Sequence, residues 1–295
     1  MFGFKKKHHH HSHQHRHIEV KKAESLKPRS LNQLALFSTA VFVFSALFLQ
    51  FLMTFQTAFL LKHYSISFIY RLYGIGFSSV SAGKWSEARI FLVFGMTVMV
   101  FFVAGLLLLF ILKKQKQLNW KVKLVITWMA FLLIHSLPMG MLAGTFFFDG
   151  FGMAYAWLFD SVWVRGLVSL LALLVVMYFR PFWMKTFLKS VYSTSFLSDS
   201  GGRKAFIKHA FILPWIFGII LLLPFAILHQ AWFWLFSYVG LGVIVFPVFW
   251  NKIPTRKFLV VKSDKRIFHV KYPLAIFLAI VVFLWFADFI SKTNF

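Results

Sequence analysis

The chain has 295 residues, of which 60% are hydrophobic, 20% aromatic and 14% charged, with 32 Lys+Arg against 8 Asp+Glu. Soluble domains average about 45–50% apolar and about 25% charged; here the apolar excess comes in long uninterrupted runs, which excludes a soluble globular fold and marks a polytopic membrane protein. Cysteine is absent, which excludes disulfides, thiolate metal sites and cysteine nucleophiles.

Residues 1–30 are polar and basic, too poor in apolar side chains to bury a core, and are expected to be a disordered cytoplasmic tail. The charged region and the apolar run after it are both too long for a secretory signal peptide. Within the tail, His8, His9, His10, His11, His13, His15 and His17 crowd together. Neutral imidazoles at this density bind Zn, Ni or Cu(II). The same segment also suits a solvated polybasic arm lying on anionic lipid headgroups.

The first apolar span covers about Leu34–Leu61, long enough to cross about 30 Å of hydrocarbon with tilt. Residues 62–89 form a loop in which SISFIYRLYGIGF is expected to lie in the interface, where Tyr is favoured. Further spans follow at about Ile90–Leu112, Leu124–Phe147 and Val162–Phe179. Residues 180–210 are basic, with a Ser-rich centre that reads as a turn or mobile loop. The fifth and sixth spans, about Phe211–Leu228 and Ala231–Trp250, are joined so tightly that they predict a helical hairpin. Residues 251–273 alternate around Ser263-Asp264-Lys265, which predicts a small cytoplasmic β-hairpin. The last span is about Leu274–Ile290.

The expected fold is therefore all-α and integral to the membrane. A polytopic bundle of about seven transmembrane helices occupies 31–295, after the His-rich tail at 1–30. Lys and Arg cluster in the tail, at 113–123, at 180–210 and at 251–273, and alternate with sparser loops. The positive-inside bias then places the N-terminus in the cytoplasm and the C-terminus outside, as in a bacterial inner membrane. The net charge of +24 is explained by this bias without a nucleic-acid partner.

The third span holds the densest set of chemically informative residues. His135 falls near mid-span, where an ionisable group is a candidate for proton or ligand work. The other reading is a neutral ring, hydrogen-bonded to a neighbouring helix and fixing its packing. Pro138 frees a backbone carbonyl near Ile134, a local partner for the ring. Gly140 and Gly144 form a small-xxx-small pair that lets another backbone approach. Asp149 and Gly150 follow. This Asp-Gly pair resembles that of site-2-type intramembrane metalloproteases, in which the Asp is a zinc ligand. The resemblance covers those few residues, and the His-Glu-x-x-His that such an enzyme needs for zinc and general base is absent. Gly-x-Ser-x-Gly and phosphate-loop motifs are absent as well.

Glu87, Asp149, Asp160 and Asp288 all fall at the outer ends of their spans, with Arg165 at the same level. They are read as ligand or proton-coupling candidates in a polar layer lining a cavity that reaches down to His135, or else as charges tolerated at span ends. Function is expected to be non-enzymatic. One form is a partner-binding subunit of an envelope membrane complex, using the Gly-rich face of the third span. The other is a carrier with an outward-facing polar cavity, using His135 and Asp149 for transport. A metal-dependent intramembrane enzyme is the alternative from another class.

Overall fold

The computed structural model describes residues 28–71, 74–77, 84–115, 117–191, 196, 200–228 and 232–245. The His-rich tail, the hairpin expected within 251–273, the last span and Asp288 lie outside the described residues.

The described chain is almost wholly helical. Helix α1 runs Pro28–His63, and a hairpin of β1 (Phe68–Arg71) and β2 (Gly74–Phe77) follows it. Then come α2 (Glu87–Lys114), α3 (Trp120–Gly144), a short α4 (Phe151–Leu158), α5 (Val162–Tyr178), α6 (Arg180–Leu188), α7 (Ser200–Ile227) and α8 (Trp232–Gly240). Among the described residues four helices, α1, α2, α3 and α7, are long and apolar enough to cross a membrane. The count becomes five if α4 and α5, bent by 116° at their junction, make one broken span. The protein is thus a helical, membrane-compatible bundle.

Local chemistry sets the helix ends. Ser86 Oγ accepts from the Arg89 backbone N–H at 3.3 Å and starts α2, while Asn119 Oδ1 accepts from the Lys121 N–H at 3.0 Å and starts α3. Lys113 and Lys114 close α2, where their charge complements the carbonyl end of the helix dipole.

Helix α3 is the centre of the bundle and packs against α1, α2, α4, α5, α6 and α8. Its Trp128 and Phe131 are fully buried. Trp128 meets Phe42, Phe187 and Phe211 at ring-centroid distances of 4.9, 5.0 and 5.5 Å. One hydroxyl joins three helices there: the Trp128 indole N–H donates to Ser38 Oγ at 2.7 Å, and that hydroxyl donates to the Ala210 carbonyl at 2.6 Å. On α5 the polarity of a soluble helix is inverted. Arg165 and Ser169 face inward, while Leu167, Leu170, Leu171, Leu174 and Val175 are exposed, an arrangement suited to surrounding acyl chains.

The structure departs from the sequence reading in three places. The 62–89 loop carries a hairpin, in which Phe68 pairs with Phe77 and Arg71 with Gly74. Ile66, just before the hairpin, is buried in one cluster with Leu61, Ile90 and Val93. Residues 180–188 are not loop but helix α6, because Trp183, Met184, Phe187 and Leu188 find apolar partners in the core. Finally, the segment between the third and fourth spans folds back as α4 instead of remaining an outer loop. Gly140 and Gly144 make room for it: a Cβ at Gly140 would stand 3.1 Å from the Phe151 ring, and one at Gly144 would stand 2.9 Å from the Gly152 Cα.

Candidate functional site

At the end of the bundle where α1 and α3 finish and α2 begins, a cavity of about 40 Å³ opens between the helices. About 10–15 Å³ of such volume holds one water, so this one has room for a few. Its polar wall is Thr54 and Thr57 from α1, Thr97 from α2, and Asp149 with Gly150 from the turn after α3. Phe94, Phe151 and Trp234 supply apolar walls, and Ile75 of the hairpin forms part of the rim.

Each polar group is placed by its local fold. Thr57 Oγ1 donates to the Met53 carbonyl at 2.9 Å, and Thr97 Oγ1 donates to the Val93 carbonyl at 2.8 Å. This is the usual back-bonding of a helical threonine. Val93 belongs to a π-helical turn, Phe91–Gly95, inside α2. The extra residue in such a turn shifts the register of the side chains that follow, and π-turns recur at functional sites. Asp149 sits in the turn that reverses the chain into α4. Gly150 makes the reversal with φ of +52°, a conformation that disfavours other residues.

Asp149 is half-buried, and burial pushes its carboxyl above the ordinary value of 3.8; the Gly150 backbone N–H donates to the carboxyl and holds it down in part. Burial is the larger effect, since a charge removed from water without a full partner costs more than one hydrogen bond returns.

The other described sequence candidates do not line this cavity. His135 is buried between Phe131 and Trp183, with ring centroids 4.3 and 5.1 Å away. Its Nδ1–H donates to the Phe131 carbonyl at 2.6 Å. The ring therefore uses the carbonyl one turn back along its own helix, in place of the one that Pro138 was expected to free. It does not line the cavity, and at about 1.5 Å per residue it lies roughly 13 Å below the end of α3. The polar layer thus does not reach down to His135.

Arg165 is buried at the first turns of α5, with its guanidinium carbon 5.0 Å from the Phe148 ring centroid. Its Nε and Nη1 have no hydrogen-bond partner among the described residues, and the face of Phe148 gives the charge a cation–π contact. Around it, the Tyr155 hydroxyl donates to the Arg165 carbonyl at 2.7 Å, and Ser169 Oγ donates to the Met141 carbonyl at 2.9 Å. This network ties α3, α4 and α5 together. Glu87 and Asp160 are exposed. Among the described residues no three His, Asp or Glu side chains gather into the kind of site that holds a transition metal.

Sequence reasoning missed the threonines. Thr54 and Thr57 were visible only as polar positions in the second half of the first span. Thr97 looks like an ordinary small residue in an apolar run, and only the packing of α2 against α1 brings it beside them. No family model matches this chain, and neither does any curated protein or solved structure.

Proposed function

We propose that this chain is a non-enzymatic carrier of a bacterial inner membrane, with about seven spans, a cytoplasmic N-terminus, an outer C-terminus and its polar cavity open toward the outside. The observation that supports this reading is a half-buried carboxylate, Asp149, set among threonines in a cavity at one end of the bundle. Charge supports the orientation. Lys113, Lys114, Lys121, Lys123, Lys185 and Lys204 cap the opposite end of the helices, and the described acids Glu87, Asp149 and Asp160 all lie at the cavity end. Lys62, Lys84 and Arg89 share the cavity end, but Lys84 and Arg89 spend hydrogen bonds on local carbonyls, those of Ser65 and Lys84.

A partner-binding subunit would use the Gly-rich face of α3. That face is filled within the chain by Phe151, Gly152 and Tyr155, which favours the carrier over the subunit.

The absence of cysteine makes a direct test simple. Ile75→Cys on the cavity rim should react with a membrane-impermeant maleimide in intact cells. Gln117→Cys, exposed in the basic link between α2 and α3, should react only after permeabilisation. Protection of position 75, or labelling of position 117 from outside, would overturn the orientation. A stoichiometric second protein co-purifying in mild detergent would favour the subunit.

A further inference from the structure

We propose that the cavity is a binding site for one monovalent alkali-metal cation, held by the Asp149 carboxylate and by the Thr57 and Thr97 hydroxyl oxygens. The proposal rests on the outward-facing cavity described above and adds the class of ligand.

The hydrogen bonds argue for it first. A hydroxyl has one proton and two lone pairs. Thr57 and Thr97 both spend their proton on their own helix backbone, on the Met53 and Val93 carbonyls. What these side chains have left to offer the cavity is acceptor oxygen, and the ionised carboxylate likewise only accepts. Acceptors from Asp149, Thr57 and Thr97 in one cavity suit a cation better than an anion.

Charge and size narrow the class. One carboxylate brings one negative charge, so a monovalent ion leaves the site neutral. Calcium is held by six to eight oxygens, commonly several of them carboxylate, and among the described residues no second acid lines this cavity. A space of about 40 Å³ accommodates a metal ion with one or two waters, but not an organic ammonium with its substituents. Phe94, Phe151 and Trp234 around the polar wall lower the local dielectric, which strengthens each ion–oxygen contact.

The site also answers a lack in the fold. Asp149 is held half out of water in a fixed turn, and among the described residues no Lys, Arg or His lines the cavity with it. Arg165 does not line the cavity, and its charge lies over Phe148. A bound cation would supply the counter-charge.

The test uses the full chain in nanodiscs, melted in lithium, sodium, potassium or choline chloride at equal ionic strength. At least one alkali ion should raise the melting temperature saturably above choline. A ligand that binds only the folded state must do so. Asp149→Asn and Thr97→Val, both close to isosteric, should weaken the apparent affinity about tenfold or more. His135→Leu, distant from the cavity, should leave it unchanged. If Asp149→Asn does not fold, Thr97→Val carries the comparison. No rise over choline in the parent chain, or an undiminished rise in Thr97→Val and in any folded Asp149→Asn, would overturn the site. Uptake of the radiolabelled ion by proteoliposomes is read separately. Stabilisation without uptake removes the carrier and keeps the site, whereas uptake with cation-indifferent stability removes the site.

Discussion

Gly144 and Gly152 meet backbone against backbone: a Cβ built on Gly144 would stand 2.9 Å from the Gly152 Cα and 3.2 Å from the Tyr155 ring. This contact seats α4 on the end of α3 and so fixes the turn that carries Asp149. The atoms in the way are backbone and a buried ring, which cannot swing aside.

Gly144→Leu should therefore destabilise the protein by about 1–3 kcal/mol, the usual cost of overpacking, and should weaken cation binding by displacing the turn. Gly166 on α5 is the control. Among the described residues nothing lies within 4 Å of a Cβ there, so Gly166→Ala should hold or raise stability by up to about 1 kcal/mol through helix propensity. Thermal melts in one detergent compare the two. Equal effects would show that the Gly144 contact is not the determinant.

Tyr155→Phe removes one hydroxyl and no volume. It deletes the donor to the Arg165 carbonyl at 2.7 Å and the contact with Ser169 Oγ at 3.2 Å. The expected cost is about 0.6–1.7 kcal/mol, the range measured for hydrogen bonds between membrane helices. Combined with Ser169→Ala, the loss should be less than additive, because the two residues share a network. Strict additivity in a double-mutant cycle would contradict the coupling.

Much of this arrangement can be read in the sequence, for physical reasons. Apolar runs and clustered lysines locate α1, α2, α3 and α7 because each signal is local. The hairpin of Phe68–Arg71 with Gly74–Phe77 was hidden because its residues also suit an interfacial segment, and only packing of the adjoining turn on Leu61 and Val93 favours pairing. Helix α6 was hidden because Arg180 and Lys185 open a basic stretch that suggested a loop, while burial of Trp183 and Phe187 decides its structure. Asp149 stood out as a rare acid. Its threonine neighbours did not, since the presence of Thr57 and Thr97 in one cavity depends on how two distant helices pack.

His135→Leu separates packing from function. The ring gives one hydrogen bond, to the Phe131 carbonyl, and lies against Phe131 and Trp183. Its loss should cost about 0.6–2 kcal/mol of stability while Ile75→Cys labelling and cation-dependent stabilisation persist. Loss of the cation response with an unchanged melting temperature would return His135 to the functional site.

Acidity gives a test with a defined sign. Burial raises the Asp149 carboxyl above 3.8, so the folded protein holds that proton more tightly than the unfolded chain. Its stabilising contribution is complete below the unfolded value and is lost as pH rises through the raised one. In choline chloride, the parent chain should therefore lose stability relative to Asp149→Asn as pH rises from the acidic range toward neutrality. A parallel pair of melting curves would mean that Asp149 titrates as it does in water.

The relay from Trp128 through Ser38 to Ala210 also imposes an order of assembly. Chains are made from the N-terminus, so the helices bearing Ser38 and Trp128 exist before residue 210 is translated. In that interval the indole already has its acceptor, but the serine proton has no interhelical destination. It acquires one when α7 arrives and presents the Ala210 carbonyl. The early pair is thus a half-closed clasp, and the later helix is its latch. A ribosome stalled before α7 should leave a protease-sensitive bundle, and release should convert it to the resistant form in one step.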